Sequence, residues 1–264
     1  MTIECDSDGY AIPPRHNPEI ADCMFYHTIE LPGLGVQHGQ WDLRPNIENY
    51  LGATDFRNRR VLEIGVANGF VSFELERRGA HVVGFDLNEN STYDAPPSSE
   101  KNRGAQDWLM LRLRQVHNAF WLAHNLLGSR AKMAYGHANN LPGFLGRFDI
   151  GVIANVLQHL RDPVGAIMQL ALICDTIVIT ETDWMAGYHD DLRGMIMFDS
   201  DAAYSWYQVK PPLIEAVLSR MGFGRFQRTF HKQFFIHDAT GADRGMDVPH
   251  FTITAEIIDR SRRV

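Results

Sequence analysis

The chain is predicted to fold as an α/β domain: a doubly wound, mostly parallel sheet with a terminal antiparallel hairpin. Three observations carry this reading. From residue 61 onward, short apolar runs alternate with stretches of helical period. A glycine-containing turn follows the first run, "RVLEIGVANG". The last two runs, "FQRTFHKQFF" and "HFTITAEI", read as a strand pair.

Residues 1–40 are rich in turn formers, as in "AIPPRHNP" and "LPGLGVQHG", and read as irregular. "RVLEIGV" is then a first strand, and "GFVSFELERRG" a helix closed by Gly79. "HVVGFDL" is a second strand, followed by the polar loop "NENSTYDAPPSSEKNRG". A long helix spans about 106–127 and stops at Gly128. Leu109, Leu113, Val116, Phe120, Ala123 and Leu127 share one of its faces. "AKMAYG", "FDIGVIAN" and "TIVITE" are further strands, with the helix "PVGAIMQLAL" before the last of them. The helix "PPLIEAVLSRMGF" precedes the closing pair. With that pair there are seven strands. Strand–helix alternation predicts a parallel sheet covered on both faces, with the ligand beyond the carboxyl ends of the strands.

Composition bounds the function. The chain has 264 residues, 45% of them hydrophobic, which suits one domain with a full core. The net charge is −7 and no long basic stripe appears, so nucleic acid is not an expected partner. The runs Arg57–Arg60 and Arg260–Arg263 read as solvated flanks. No secretory h-region and no membrane-length apolar run is present, and Cys5, Cys23 and Cys174 lack metal or disulfide spacing. The expected setting is a reducing cytoplasm with no membrane contact.

The turn "EIGVANG" does not fit G-x-G-x-x-G, because Ala67 and Phe70 stand at the second and third glycine places. It fits acid-x-G-x-x-x-G, the S-adenosylmethionine turn of methyltransferases. Glu63 would lie near the cationic amino-acid end of such a cofactor. Gly65, Ala67, Asn68 and Gly69 would let the backbone approach it. Asp86, followed by Leu87, ends the second strand 21 residues after Gly65, close to the spacing of a ribose-binding acid. Read singly, each motif has a plain alternative, a tight turn or a helix cap.

Residues 135–163, "YGHANNLPGFLGRFDIGVIANVLQHLRDP", resemble the class I methyltransferase pattern. The resemblance implies a Rossmann-like fold, S-adenosylmethionine as cofactor, His137 and Ala138 at the adenine edge, and Asn155 at the methionine end. His137 stands where that family often has Asp. Over about residues 40–225 the ordered motifs resemble the branch of tRNA wobble-uridine (carboxy)methyltransferases and their relatives. Segment 39–52, "GQWDLRPNIENYLG", lacks the lysines that hold the extra carboxylate of carboxy-S-adenosylmethionine in those enzymes. Shared scaffold and the ordinary cofactor are therefore expected, not a shared substrate.

This assigns residues 1–45 to an N-terminal lid or cap and 46–264 to the methyltransferase domain, with a substrate cap at about 182–208. The expected reaction is methyl transfer to a small organic acceptor, oxygen first, with nitrogen or carbon open. The alternatives are a tRNA-modifying enzyme and a cofactor-binding protein without chemistry. His159 is the expected proton acceptor. Tyr26, His27, Trp41, Trp184, Tyr188 and Tyr204 are the expected substrate contacts. For His27 and His38 the plain reading is a surface loop histidine, and for His117 and His124 it is helix packing. Asp183, Asp190 and Asp191 read as a solvated loop in preference to a magnesium site. No metal is expected, and a homodimer is left open.

Overall fold

The computed structural model describes residues 4–88, 94, 105–187, 191–198, 205–236 and 245–262. In chain order the elements are β1 (Ile29–Leu31), β2 (Gly35–Gln37), β3 (Trp41–Asp42), α1 (Ile47–Tyr50), β4 (Arg60–Ile64), α2 (Phe70–Arg77), β5 (His81–Asp86), α3 (Ala105–Leu127), β6 (Lys132–Tyr135), β7 (Phe148–Ala154), α4 (Pro163–Ile173), β8 (Cys174–Thr182), β9 (Met195–Met197), β10 (Tyr207–Val209), α5 (Pro211–Arg220), β11 (Phe223–Ile236) and β12 (Gly245–Ile257).

One sheet organises the molecule, in the order β3-β11-β12-β8-β7-β4-β5-β6. Strands β4 to β8 in this sheet run parallel, and β12 and β11 add antiparallel beside β8. The seven expected strands are present. An eighth, β3, comes from the segment expected to be a lid or cap: Trp41 and Asp42 pair with Phe235 and Phe234 of β11. The described residues of this segment, 4–45, are thus built into the domain, and Leu31, Trp41 and Leu43 lie in its core. The turn-rich composition of this segment hid so short a strand, whose partner lies near the far end of the chain.

Helices cover both faces. On one, Ile167 and Leu170 of α4 and Ile214 and Leu218 of α5 pack on Leu62, Ile64 and Ile177. On the other, Phe70 and Phe73 of α2 and Phe120 and Trp121 of α3 pack on Val61, Val82 and Val178, together with Trp41. Alternation along β4 therefore sends Val61 and Leu62 to opposite cores. Helix α2 starts after Gly69, whose φ of +85° few other residues adopt. Helix α4 starts at Asp162, which accepts the Gly165 N–H at 2.8 Å, with Pro163 in the first helical position. The expected face of α3 is buried except for Leu127, 39% exposed where the helix ends at Gly128.

Candidate functional site

The carboxyl ends of β4, β5, β6 and β7 open into a cavity of about 370 Å³. Gly65 and Ala67 form its floor, with φ of +82° and +50°. A Cβ on Gly65 would run into Val156 Cγ2, which also lines the cavity, so only glycine keeps the floor low here. Asp86 holds the turn: Oδ2 accepts the Ala67 N–H at 2.9 Å and Oδ1 the Leu87 N–H at 2.7 Å. Each carboxylate oxygen keeps acceptor capacity toward the cavity that Asp86 lines.

Several expected cofactor contacts take other roles. Glu63 lies outside the lining residues, and the Ser72 hydroxyl donates to its Oε2. Burial pushes its carboxyl up to about 8, the Ser72 bond opposes this and the charge of Asp86 adds to it. Alternation along β4 directs this side chain to the α2 side, beneath the turn. Asn68 is fully buried and grips the N-terminal segment. Its Oδ1 accepts the His27 N–H at 2.7 Å and its Nδ2 donates to the His27 carbonyl at 3.1 Å. Gly69 is held by packing, since a Cβ there would meet Phe73 and Phe120 at 2.5 and 2.7 Å.

Asn155 does line the cavity, at a φ of +54°. Its carboxamide is committed elsewhere. Nδ2 donates to Tyr50 Oη and His250 Nε2, both at 3.3 Å, and Oδ1 accepts the Thr182 N–H at 2.8 Å. What Asn155 presents to a ligand is backbone. Behind it, His250 Nδ1 donates to the Val248 carbonyl at 2.9 Å, which fixes Nε2 as the acceptor.

His159 lines the cavity from the 3-10 turn Leu157–His159, with Nδ1 3.3 Å from Ser205 Oγ. The turn is anchored by Glu181 at the end of β8, whose Oε1 accepts the Val156 and Leu157 N–H groups at 3.0 and 2.9 Å. Burial pushes this carboxyl up to about 8, against the pull of those N–H groups.

At the other end stand Leu87, His137, Ala138, Leu160 and Asp94. His137 Nδ1 accepts the Asn139 N–H at 3.3 Å, so its proton is on Nε2, 3.4 Å from Asp94 Oδ2. Asp94 also accepts the Arg161 N–H at 3.1 Å and lies 3.4 Å from Arg161 Nε.

The N-terminal segment roofs the cavity through Met24, Tyr26, His27 and Gln40, facing Leu109, Arg112 and Leu113 of α3. Arg112 donates to Gln40 Oε1 at 2.9 Å, and Tyr26 Oη accepts the Trp41 indole N–H at 3.2 Å. His27 is not a surface histidine. It is 5% exposed, burial lowers its imidazole to about 3, and its buried Nδ1 has no hydrogen-bond partner among the described residues. The Asn68 grip draws it inward. His38 is exposed, as expected of a loop histidine.

Trp41 and Trp184 are not lining residues. Trp41 is buried with its ring 4.6 Å from Phe235 and 5.3 Å from His250, and the exposed Trp184 tilts over it at 6.4 Å. The incorporation of Trp41 into β3 explains its position. Tyr188 and Tyr204 lie outside the described residues, as do His189 and Asp190. Asp183 is not solvated: it is buried and pairs with the fully buried Lys210 at 3.1 Å. Asp191 is exposed. His117 and His124 are buried in helix packing. Among the described residues no cluster of three His, Cys, Asp or Glu could hold a metal. Among them, too, no helix is long and apolar enough to cross a membrane.

Sequence reasoning missed Asp94, Arg112, Gln40, Tyr50, Glu181 and His250. Glu181 had a signal: like Glu63, it is an acid in an apolar strand. The others are brought in by chain-distant contacts that no local pattern encodes.

No family model matches the chain. Among curated proteins it is 27% identical over 131 residues to the ubiquinone biosynthesis O-methyltransferase of Marinobacter nauticus, covering 49% of this chain and 46% of that protein. It is also 27% identical over 115 residues to the same-named protein of Hahella chejuensis, covering 44% and 38%. The matched stretches thus span less than half the length of these relatives. Among solved structures, the YcgJ protein of Bacillus subtilis superposes with a TM-score of 0.53 at 14% identity, over 79% of this chain and 96% of that one. EvdMO1 superposes with 0.51 at 17% identity, over 87% of this chain and 44% of that one. A mostly parallel sheet ending in an antiparallel pair, with helices on both faces, is the Rossmann-like fold of class I S-adenosylmethionine-dependent methyltransferases, and this chain has that fold.

Proposed function

We propose that the protein transfers a methyl group from S-adenosylmethionine to an oxygen of a small organic acceptor. The observation that carries this is the joining of the Gly65–Gly69 turn to Asp86, in one cavity with His159, at the carboxyl ends of the parallel strands. A dinucleotide would need the second and third glycines that this turn lacks. Oxygen as the acceptor atom is supported by the names of the two curated relatives.

The residues present suit the cofactor. The Gly65 floor excludes even a Cβ, Asp86 offers carboxylate oxygens to ribose hydroxyls, and Leu87, Ala138 and Leu160 offer apolar surface to a base. When bound, the cofactor supplies an electrophilic methyl group and its own leaving group. The chain aligns the acceptor, excludes water and takes a proton. His159 is the group for the last task, with Ser205 beside its Nδ1.

The likeness to tRNA wobble-uridine enzymes is read as one of scaffold. Arg44, the cation of segment 39–52, is paired with Asp42 at 2.7 Å and lies outside the lining. The ordinary cofactor is therefore preferred, because an extra carboxylate would lose water without gaining Arg44 as a partner.

Calorimetry with S-adenosylmethionine and with carboxy-S-adenosylmethionine tests the cofactor. Asp86→Ala should weaken binding of the plain form by about 1.5–3 kcal/mol for each charge-assisted bond lost. Unchanged affinity in that variant removes the assignment. Tighter binding of the carboxylated donor, or a tRNA gel shift at physiological salt, would move the reading to the tRNA branch.

A further inference from the structure

Given the cofactor assigned above, we infer that Asp94 is the residue that recognises the 6-amino group of its adenine. His137 occupies the place where a carboxylate is frequent in the resembling family, so the strand β6 loop brings no acid to this end of the cavity. A carboxylate is there nonetheless, delivered from the loop between β5 and α3. Asp94 lines the cavity beside Leu87, Ala138 and Leu160.

Its setting is that of an aimed acceptor. The Arg161 N–H at 3.1 Å, Arg161 Nε at 3.4 Å and His137 Nε2 at 3.4 Å surround the carboxylate. The Trp206 indole N–H donates to the Asp94 main-chain carbonyl and fixes the residue from the other side. Each of these three polar partners of the carboxylate is a donor. With only 17% of the side chain exposed, remaining lone pairs face few alternatives to a ligand donor. An exocyclic amine on a flat base is a donor of that kind. Its N–H would replace water lost when an apolar end of the cavity closes around the ring. His137 becomes a positioning residue: the Asn139 N–H fixes its tautomer, and its Nε2–H faces Asp94.

A plain alternative is a latch that ties three loops together and reads nothing. The two roles separate in a cycle of binding measurements. Dissociation constants are measured by calorimetry for S-adenosylhomocysteine and for its analogue with purine in place of adenine, which lacks only the 6-amino group. The native protein should prefer the adenine form by about 10- to 100-fold, the worth of one hydrogen bond to a charged group. Asp94→Ala should bring the two ligands to within about threefold. Asp94→Asn, which keeps shape and one acceptor oxygen, should fall between and guards against loss of fold. A preference that persists undiminished in both variants overturns the inference and leaves Asp94 as a latch. Failure of the native protein to bind either ligand removes the cofactor reading itself, and this assignment with it.

Discussion

At the residue scale, His159 and Asp86 divide the proposed work between proton and cofactor. His159 sits on a turn whose Val156 and Leu157 N–H groups are taken by the buried Glu181, so its position is set from below by a residue outside the cavity lining. An imidazole suits removal of a hydroxyl proton during attack, and such help is typically worth roughly 10²–10⁴-fold. His159→Asn should retain S-adenosylhomocysteine affinity and lower turnover by about two orders of magnitude. Steady-state kinetics on folded variant protein check this. Turnover unchanged per folded molecule would make the histidine structural. The residue scale is also where sequence reading was most uneven. Asp86 ends a strand and Gly65, His137 and His159 follow strand ends, so the sequence pattern alone puts them at the rim. The commitment of the Asn155 carboxamide has no sequence signal, because its partners Tyr50, His250 and Thr182 come from three other segments.

At the element scale, the N-terminal segment and the glycine turn form one unit. Asn68 satisfies both main-chain groups of His27, while Thr28 N–H donates to the Trp41 carbonyl and Trp41 N–H to that of Tyr26. The roof of the cavity is thereby fastened to its floor on one side and to the sheet edge on the other. None of these bonds has a local signature: Asn68 and His27 are 41 residues apart, and β3 meets β11 across most of the chain. The long helices and the parallel strands were legible because their periodicity is local. Asn68→Ala would strand a buried N–H and a buried carbonyl, each costing about 1–3 kcal/mol. The variant should show a lower denaturation midpoint. Amide exchange over residues 24–28 should also quicken by more than global unfolding accounts for. Exchange there that tracks global stability alone would show that the roof is held by packing, without need of Asn68.

At the scale of the whole molecule, the site region concentrates buried titratable groups whose shifts oppose one another. Burial lowers His27, His231 and His250 to about 3, 4 and 4, from an ordinary 6.5. Burial raises Glu63 and Glu181 to about 8, from an ordinary 4.5. Between pH 8 and 6.5 the native state keeps protons on these two carboxyls that the unfolded chain has released, so stability rises as pH falls. Below 6.5 the unfolded chain takes up protons on three imidazoles that the native core refuses until about pH 4. Three then outweigh two, and stability falls as pH falls further. Asp42 and Glu74, with lowered values, titrate beneath this window. The expected curve is a maximum near pH 6.5 with a shallow decline on the acid side and a steeper one toward pH 8. Urea midpoints measured at half-unit steps from pH 5 to 9 trace it. Glu181→Gln removes one of the two carboxyls, so it should flatten the alkaline limb and steepen the acid limb, where three imidazoles then stand against one carboxyl. A native protein equally stable at pH 6.5 and 8.5 would mean that Glu63 and Glu181 are ionised in the fold, with water or charge reaching them that the packing around Ser72 and the Val156–Leu157 turn does not provide.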